Sequence, residues 1–235
     1  MKRRPRDGYE FSARTSHVNR QLAPFEQFLD FARAEGASAA ALLDPKTLVV
    51  EERFIHYCHT GCPSYGLAPS CPPHTIRPRT FRKKLNMYQA ALVFKVEAML
   101  AELKGARRRH YSRLMHTLAA RIEKKGKRHG FSPVMGIGAG SCKELFCLEA
   151  EGCVVLEQNQ ACPYQEQARI SLSALGINAG LLCEQAGWKL TWQDASCGDE
   201  QTMAIMLGLV LIGSSRCGIT SHRVCTSPLL AASDV

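Results

Sequence analysis

The spacing of the cysteines constrains this chain more than any other feature of its sequence. Seven of the eleven cysteines fall in two compact groups. The groups consist of Cys58, Cys62 and Cys71, and of Cys142, Cys147, Cys153 and Cys162. Packing gives free cysteine, a small buried hydrophobe, no reason to cluster at short, unequal intervals. Metal ligation does, because one loop must then gather several sulfurs around an inorganic centre. Each group is therefore predicted to be a metal-binding loop.

The intervals inside the groups bear on the kind of metal. Structural zinc usually takes paired ligands, with two to four residues between the members of a pair. Cys58 and Cys62 could form such a pair, and Cys142 and Cys147 come close to another. The longer gaps suit an iron–sulfur cluster better, as does the proline that follows the last cysteine of each group. We expect one or two clusters of the 4Fe–4S type, with zinc as the alternative.

The first group has three thiols, so its fourth ligand must come from elsewhere or its fourth position must stay open to a small molecule. The candidates for a fourth ligand are Cys183, Cys197, Cys217, Cys225, His56, His59 and His74. A late cysteine is more often a buried, inert thiol than a ligand. A histidine is more often hydrogen-bonded or at the surface. The fourth position is therefore left unassigned.

Positive charge is concentrated in the middle of the chain. The net charge is +9, and residues 76–130 hold 16 Lys or Arg against 3 Asp or Glu. Such a run can be a solvated helix face, a docking surface for an acidic redox protein or a nucleic-acid site. No nucleic-acid motif or aromatic stacking platform accompanies it. A protein redox partner is expected, nucleic acid is not favoured, and no oligomeric state is predicted.

The N-terminus and the apolar runs indicate the compartment. The first residues are basic, but the apolar segment of a secretory signal does not follow them. No apolar run reaches the roughly 18 residues of a membrane span. We expect a cytoplasmic protein without membrane insertion. In a reducing cytosol its cysteines are ligands, catalysts or core residues rather than disulfide partners.

Apolar periodicity predicts a mixed α/β fold of the α+β class, with a central sheet, flanking helices and two cysteine-rich metal-binding loops. Residues 1–20 are expected to be a flexible basic leader, and residues 21–235 a single metal-binding domain with cysteine loops at 58–73 and 138–163. Predicted strands are 39–43, 47–57, 89–96, 131–137, 188–192 and 202–212. Predicted helices are 22–34, 77–88, 99–128 with a possible break at Gly105, 165–175 and 180–186. The alternating glycines of residues 136–140 are interpreted as loop flexibility beside the ligands.

Two long stretches resemble one protein family. The stretch from Val50 to Thr75 resembles the N-terminal signature of a family of predicted metal-binding proteins, the domain of unknown function 2284. The stretch from Gly138 to Cys162 resembles its second signature. The family is regarded as iron–sulfur-binding and has no established activity, so the resemblance implies the seven cysteine ligands but no reaction. The family's arginine- and proline-containing runs after the last cysteine are altered here, without loss of any proposed ligand.

The leading functional hypothesis is iron–sulfur cluster binding, with electron transfer or redox support for a partner enzyme. One alternative is an iron–sulfur enzyme with an open iron at the three-cysteine site. The other is a zinc-stapled binding module whose basic helix contacts nucleic acid. No catalytic residue is predicted, and whether the protein is an enzyme stays open.

Overall fold

A five-stranded sheet forms the centre of the computed structural model, which describes residues 22–189 and 202–215. The strands are β1 (Ala39–Leu43), β2 (Ala90–Met99), β3 (Phe131–Gly138), β4 (Ile170–Ser171) and β5 (Met203–Ser215). Their order is β1-β2-β5-β3-β4, with β3 and β4 parallel and the other neighbours antiparallel. The predicted α+β class with a central sheet is therefore confirmed. The predicted leader, residues 1–20, lies outside the described residues.

Eight α-helices surround the sheet in the described part of the chain. They are α1 (Gln27–Ala34), α2 (His56–Gly61), α3 (Pro78–Lys84), α4 (Leu100–Lys104), α5 (Arg108–Arg128), α6 (Cys142–Phe146), α7 (Val154–Glu157) and α8 (Ala179–Gln185). The predicted break at Gly105 is confirmed, because this residue separates α4 from α5. A Cβ atom there would lie 2.8 Å from the Ala101 carbonyl oxygen. Among the described residues, no helix is both long and apolar enough to cross a membrane.

The central strands are covered on both faces. In β2, Leu92 and Phe94 belong to a core shared with α1 and α5, and Val93 belongs to a second core shared with α3 and α8. This alternation follows from the two-residue period of a strand. Each such side chain, when fully buried, contributes about 1.5–3 kcal/mol to folding. The second cysteine-rich segment follows the end of β3, whereas the first begins with α2, after a 3₁₀ turn.

Two of the alternating glycines let α5 lie directly on β3. A Cβ atom on Gly136 would lie 2.7 Å from the Ala119 carbonyl oxygen, and one on Gly138 would lie 2.9 Å from His116 Cδ2. The interpretation of these two glycines as loop flexibility was wrong, because both are strand residues at a close helix–strand approach. Gly140 does lie in a turn, and its φ of +82° favours glycine.

Two predicted elements are absent from the structure. Residues 47–57 do not form a strand: Val50 makes one isolated bridge to Ile177, and the chain then continues through a 3₁₀ turn into α2. Residues 165–175 do not form a helix but contain turns, the short strand β4 and a 3₁₀ turn. In both stretches tertiary packing of residues such as Val50 and Leu175, which are buried, overrode the periodicity, whereas Tyr57 is exposed. The strand predicted at 188–192 lies mostly outside the described residues.

Candidate metal centre

The first cysteine group surrounds a small cavity. Cys58 lies on α2, Cys62 follows the end of that helix, and Cys71 lies among the turns that lead to α3. All three line a cavity of about 290 Å³. Helix α2 ends before Pro63, and the prolines of this segment exclude regular structure as predicted. The segment was predicted to be a loop throughout, but Cys58 is helical.

The second cysteine group surrounds a separate cavity next to the first cysteine segment. Cys142 is the first residue of α6, Cys147 ends that helix, Cys153 precedes α7 and Cys162 lies in the turn beyond it. All four line a cavity of about 430 Å³. Two short helices therefore place the cysteines at or next to their ends around one space, an arrangement that gathers four thiols from 21 residues of chain.

The two groups meet through a reciprocal pair of contacts. Ser70 precedes Cys71 in the first segment, and its Oγ lies 3.1 Å from Cys142 Sγ of the second. Ser141 precedes Cys142, and its Oγ lies 3.2 Å from Cys71 Sγ. Cys71 and Cys142 are both buried and pack in one small apolar cluster with Ala68. Each segment thus supplies a hydroxyl to a sulfur of the other.

The buried thiols are held in their protonated form while no cation is bound. Burial raises the pKa of Cys142 to about 11 and also raises the pKa of Cys58, Cys71 and Cys147. The nearby hydroxyls oppose this effect, among them Ser173 at 4.0 Å from Cys58 Sγ. Metal ligation requires thiolates, so a bound cation must displace these protons. A serine hydroxyl can then rotate and donate to the sulfur.

The available cysteine thiols suit a metal centre that prefers sulfur ligands. All eight cysteines of residues 22–189 and 202–215 are free thiols. Within the same residues, no three His, Cys, Asp or Glu side chains are positioned to hold a metal ion. The sulfurs line cavities and do not converge on one point. The assignment of Cys58, Cys62, Cys71, Cys142, Cys147, Cys153 and Cys162 as ligands stays a prediction.

The candidates for the fourth ligand of the first group do not line its cavity where the structure describes them. Cys183 lies on the buried face of α8, and its thiol donates to the Trp188 carbonyl at 3.5 Å. His59 contacts the Tyr65 hydroxyl at 3.0 Å, and His74 contacts the Gly66 carbonyl at 3.1 Å. His56 faces a larger neighbouring cavity. Cys197, Cys217 and Cys225 lie outside the described residues.

Three buried polar side chains brace the second cysteine segment against α5. His116 Nδ1 accepts from the backbone N–H of Arg169 at 3.0 Å, so its Nε2 carries the proton and donates to the Ala139 carbonyl at 3.1 Å. Burial lowers the pKa of His116 to about 4. Arg169 Nε donates to Glu123 Oε2 at 2.8 Å, and its Nη atoms donate to three carbonyls of residues 165–168. The strand end and the loop after Cys162 are thereby fixed to one helix.

Most cations of α5 are engaged inside the protein. Six of its eight Lys and Arg side chains contact an acidic group, a carbonyl or an aromatic ring of the described chain. Arg113, for example, donates to the Leu145 carbonyl and lies 5.6 Å from the centre of the Phe146 ring. Arg108 instead lines the three-cysteine cavity. The basic helix therefore fastens its neighbours, including the second cysteine segment.

Sequence reasoning missed the serines and the bracing residues. The repeated Ser-Cys dipeptide at 70–71 and 141–142 was a visible signal for the serines. His116 and Glu123 are seven residues apart on the buried face of α5, so helical spacing could have identified them. Their partners, however, lie far away in sequence.

Comparison with known proteins agrees with the cysteine pattern. A family profile described as “Predicted metal-binding protein” and numbered 2284 among domains of unknown function matches residues 41–212. Neither the curated proteins nor the solved structures contain a match to this chain. The matched range covers both cysteine groups and all five strands except the ends of β1 and β5. The chain therefore belongs to this family of predicted metal-binding proteins.

Proposed function

We propose that this protein binds two iron–sulfur clusters, one in each cysteine-lined cavity, and passes electrons between them and a partner protein. The observation that carries the proposal is the arrangement of the seven cysteines. Each sequence group lines a cavity of its own, and the two groups meet at Cys71 and Cys142. When bound, such clusters supply one-electron redox chemistry.

Iron–sulfur clusters suit these cavities better than zinc does. A structural zinc ion needs four ligands that converge on one point at about 2.0–2.3 Å. A cluster has several irons, so its ligands stand apart around a volume, as cysteines that line a cavity do. Two cavities formed by seven thiols also exceed what one zinc staple requires. Zinc remains the alternative that metal analysis tests.

The chain's own side chains would support such clusters. The hydroxyls of Ser70, Ser141 and Ser173 can donate to thiolate sulfurs, which is one way in which a protein sets a cluster's reduction potential. Arg108, at the three-cysteine cavity, supplies positive charge next to an anionic group. A reducing cytosol would keep the thiols available, and an acidic surface on the partner protein would match the chain's excess of positive charge.

Purification without oxygen tests the proposal. We expect a brown protein with about eight irons and eight acid-labile sulfides per chain, if each site holds a 4Fe–4S cluster. Chemical reduction should produce an electron paramagnetic resonance signal that broadens or splits when both clusters are reduced, because the sites adjoin. A colourless protein that contains zinc in place of iron would overturn the redox function.

One observation favours a second function, an iron–sulfur enzyme with an open iron at the three-cysteine site. That site lacks a fourth described cysteine and adjoins a cavity large enough for an organic molecule. A small molecule that shifts the resonance of only one of the two clusters would favour this function. A closed electron carrier should show no such shift.

A further inference from the structure

A large cavity lies against the three-cysteine cavity. Its volume is about 780 Å³, within the range of small-molecule sites. The two cavities share four lining residues, among them Tyr57 and Ser173. The large cavity is bounded by the carboxyl ends of the parallel strands β3 and β4, where Gly138 and Ser171 are paired. That edge of a sheet is where ligands bind in many proteins with parallel strands.

The wall of this cavity is largely apolar. Ile205, Met206 and Leu207 of β5 line it together with Ile177 and the aromatic ring of Phe54. These side chains offer no hydrogen bonds, so they favour a hydrocarbon or aromatic surface on the molecule that enters. A strongly hydrated ligand such as a nucleotide triphosphate would lose its hydration against this wall without compensation.

A single charged side chain lies at the wall. Arg53 is the only Lys, Arg, Asp or Glu among the described residues that line the cavity. The Arg53 side chain is 71% exposed; its Nε donates to Glu51 Oε2 at 2.7 Å and its Nη2 donates to Glu51 Oε1 at 3.2 Å, which offsets much of its charge. Nη1 makes no hydrogen bond to the described residues. Glu51 is itself held by Asn178 Nδ2 at 3.0 Å. The guanidinium is therefore held in position and retains donor capacity for one more anionic group.

We infer that this cavity is the binding site for a small organic acid with one carboxylate and an apolar body. The carboxylate takes the free Nη1 of Arg53, and the body lies along the apolar wall towards Ser173. One cation that is already paired with Glu51 is too few for a polyanion. The inference deepens the proposed function. It rests on that function in one respect only, which is that the bound acid lies next to a cluster at the three-cysteine site.

Binding of two probe acids to the full chain tests the inference. Phenylacetate and hexanoate are titrated against metal-free and iron-loaded protein by calorimetry and by ligand-observed NMR, with phenylacetamide as the neutral control for charge. We expect both acids to bind and Arg53→Gln to weaken them at least tenfold, with phenylacetamide unchanged. Arg79→Gln is the matched control variant, because Arg79 is exposed on α3 and lines none of the three cavities discussed here.

Three results would overturn the inference. They are failure of both acids to bind, equal affinity of the acids for the wild type and Arg53→Gln, and an equal loss in Arg79→Gln. A second variant tests the location, because Ala179→Phe places a ring in the cavity and should abolish binding of the acids. Undiminished binding in that variant would put the acids elsewhere.

Binding of the acids and iron content are measured separately, so either proposal can be refuted without the other. Binding of the acids to metal-free protein does not depend on iron, and iron content does not depend on the acids. In iron-loaded protein, phenylacetate should change the line shape of one cluster signal and phenylacetamide should change neither. Binding of the acids without any change in the cluster signals would refute the position next to the three-cysteine site.

Discussion

The two cysteine-lined cavities differ in completeness and in access. The four-cysteine cavity has a full set of thiols, and the segment around it is fixed by Arg169, Arg113 and Lys143, which donate to its backbone carbonyls. The three-cysteine cavity lacks a fourth described thiol and adjoins the cavity of about 780 Å³. A complete, braced site suits a cluster that only exchanges electrons. An incomplete site beside a cavity suits a cluster that a small molecule can reach.

Cysteine substitutions should separate the two sites most strongly. Cys147→Ser should remove about half of the bound iron and lower the melting temperature, because cluster binding and folding are coupled. Cys62→Ser should remove the other half and spare the signal of the four-cysteine cluster. Iron analysis and thermal unfolding without oxygen measure both effects. Cys183→Ala is the control: it should lose stability from the core and keep all of its iron. Full iron in Cys147→Ser would refute the assignment of the complete site.

Removal of one charge should loosen the braced site selectively. Glu123→Gln leaves Arg169, whose side chain is 13% exposed, without its carboxylate partner. Loss of one member of a buried ion pair costs about 3–5 kcal/mol, and we expect the lower figure because the pair is slightly exposed and the glutamine oxygen can still accept a hydrogen bond. Urea unfolding measures the cost, and faster iron loss from the four-cysteine cluster should accompany it. Glu166→Gln, at an exposed pair, should change neither quantity appreciably.

Acid should weaken the same region through His116. Its pKa is lowered from 6.5 to about 4 chiefly by burial, so between those values the unfolded chain takes up a proton that the folded chain does not. Stability from this group is therefore fully present above pH 6.5 and is lost as the pH falls towards 4, by about 3 kcal/mol in total. Metal-free wild type and His116→Gln should differ in the slope of unfolding free energy against pH in this window. Parallel curves would contradict the prediction.

The smallest effects should come from the serines. They should be crossed, which means that each serine should change the potential of the cluster in the other cysteine segment. Ser70→Ala should lower the reduction potential of the four-cysteine cluster, and Ser141→Ala that of the three-cysteine cluster, because a donated hydrogen bond stabilises the reduced state. A tenfold change in the electron-transfer equilibrium corresponds to about 60 mV, and we expect shifts of at most this size. Potentiometric titration measures them. Ser141→Thr, which keeps the hydroxyl, should stay close to the wild type. Because Ser70 also hydrogen-bonds Cys71 of its own segment, Ser141→Ala is the decisive variant, and a shift confined to the four-cysteine cluster in it would refute the crossed arrangement.

The sequence predicted those parts of the fold that depend on local composition. The apolar runs of β1, β2, β3 and β5 and the break at Gly105 were recognised because strand pairing and helix interruption follow local residue types. Residues 47–57 and 165–175 were misread, since their conformation depends on contacts between distant parts of the chain, such as the bridge of Val50 to Ile177. Local patterns cannot report such contacts.

The candidate site was likewise predictable only where it depends on local sequence. Cysteine spacing gave the two groups, but not their adjacency, because Ser70 and Cys142 are separated by 72 residues. The large cavity was equally invisible, since its wall combines residues from Arg53 to Leu207. The sequence shows directly which side chains can act as metal ligands, whereas the whole fold decides whether a small molecule can reach them.

The reciprocal Ser-Cys contacts have a consequence for how the protein matures. Neither segment can reach its final shape while the other is unformed, because each one completes the surroundings of a sulfur in its neighbour. Insertion of a cluster into one cavity should therefore speed up insertion into the other. A chain that already holds one cluster should take up its second cluster faster than an empty chain takes up its first.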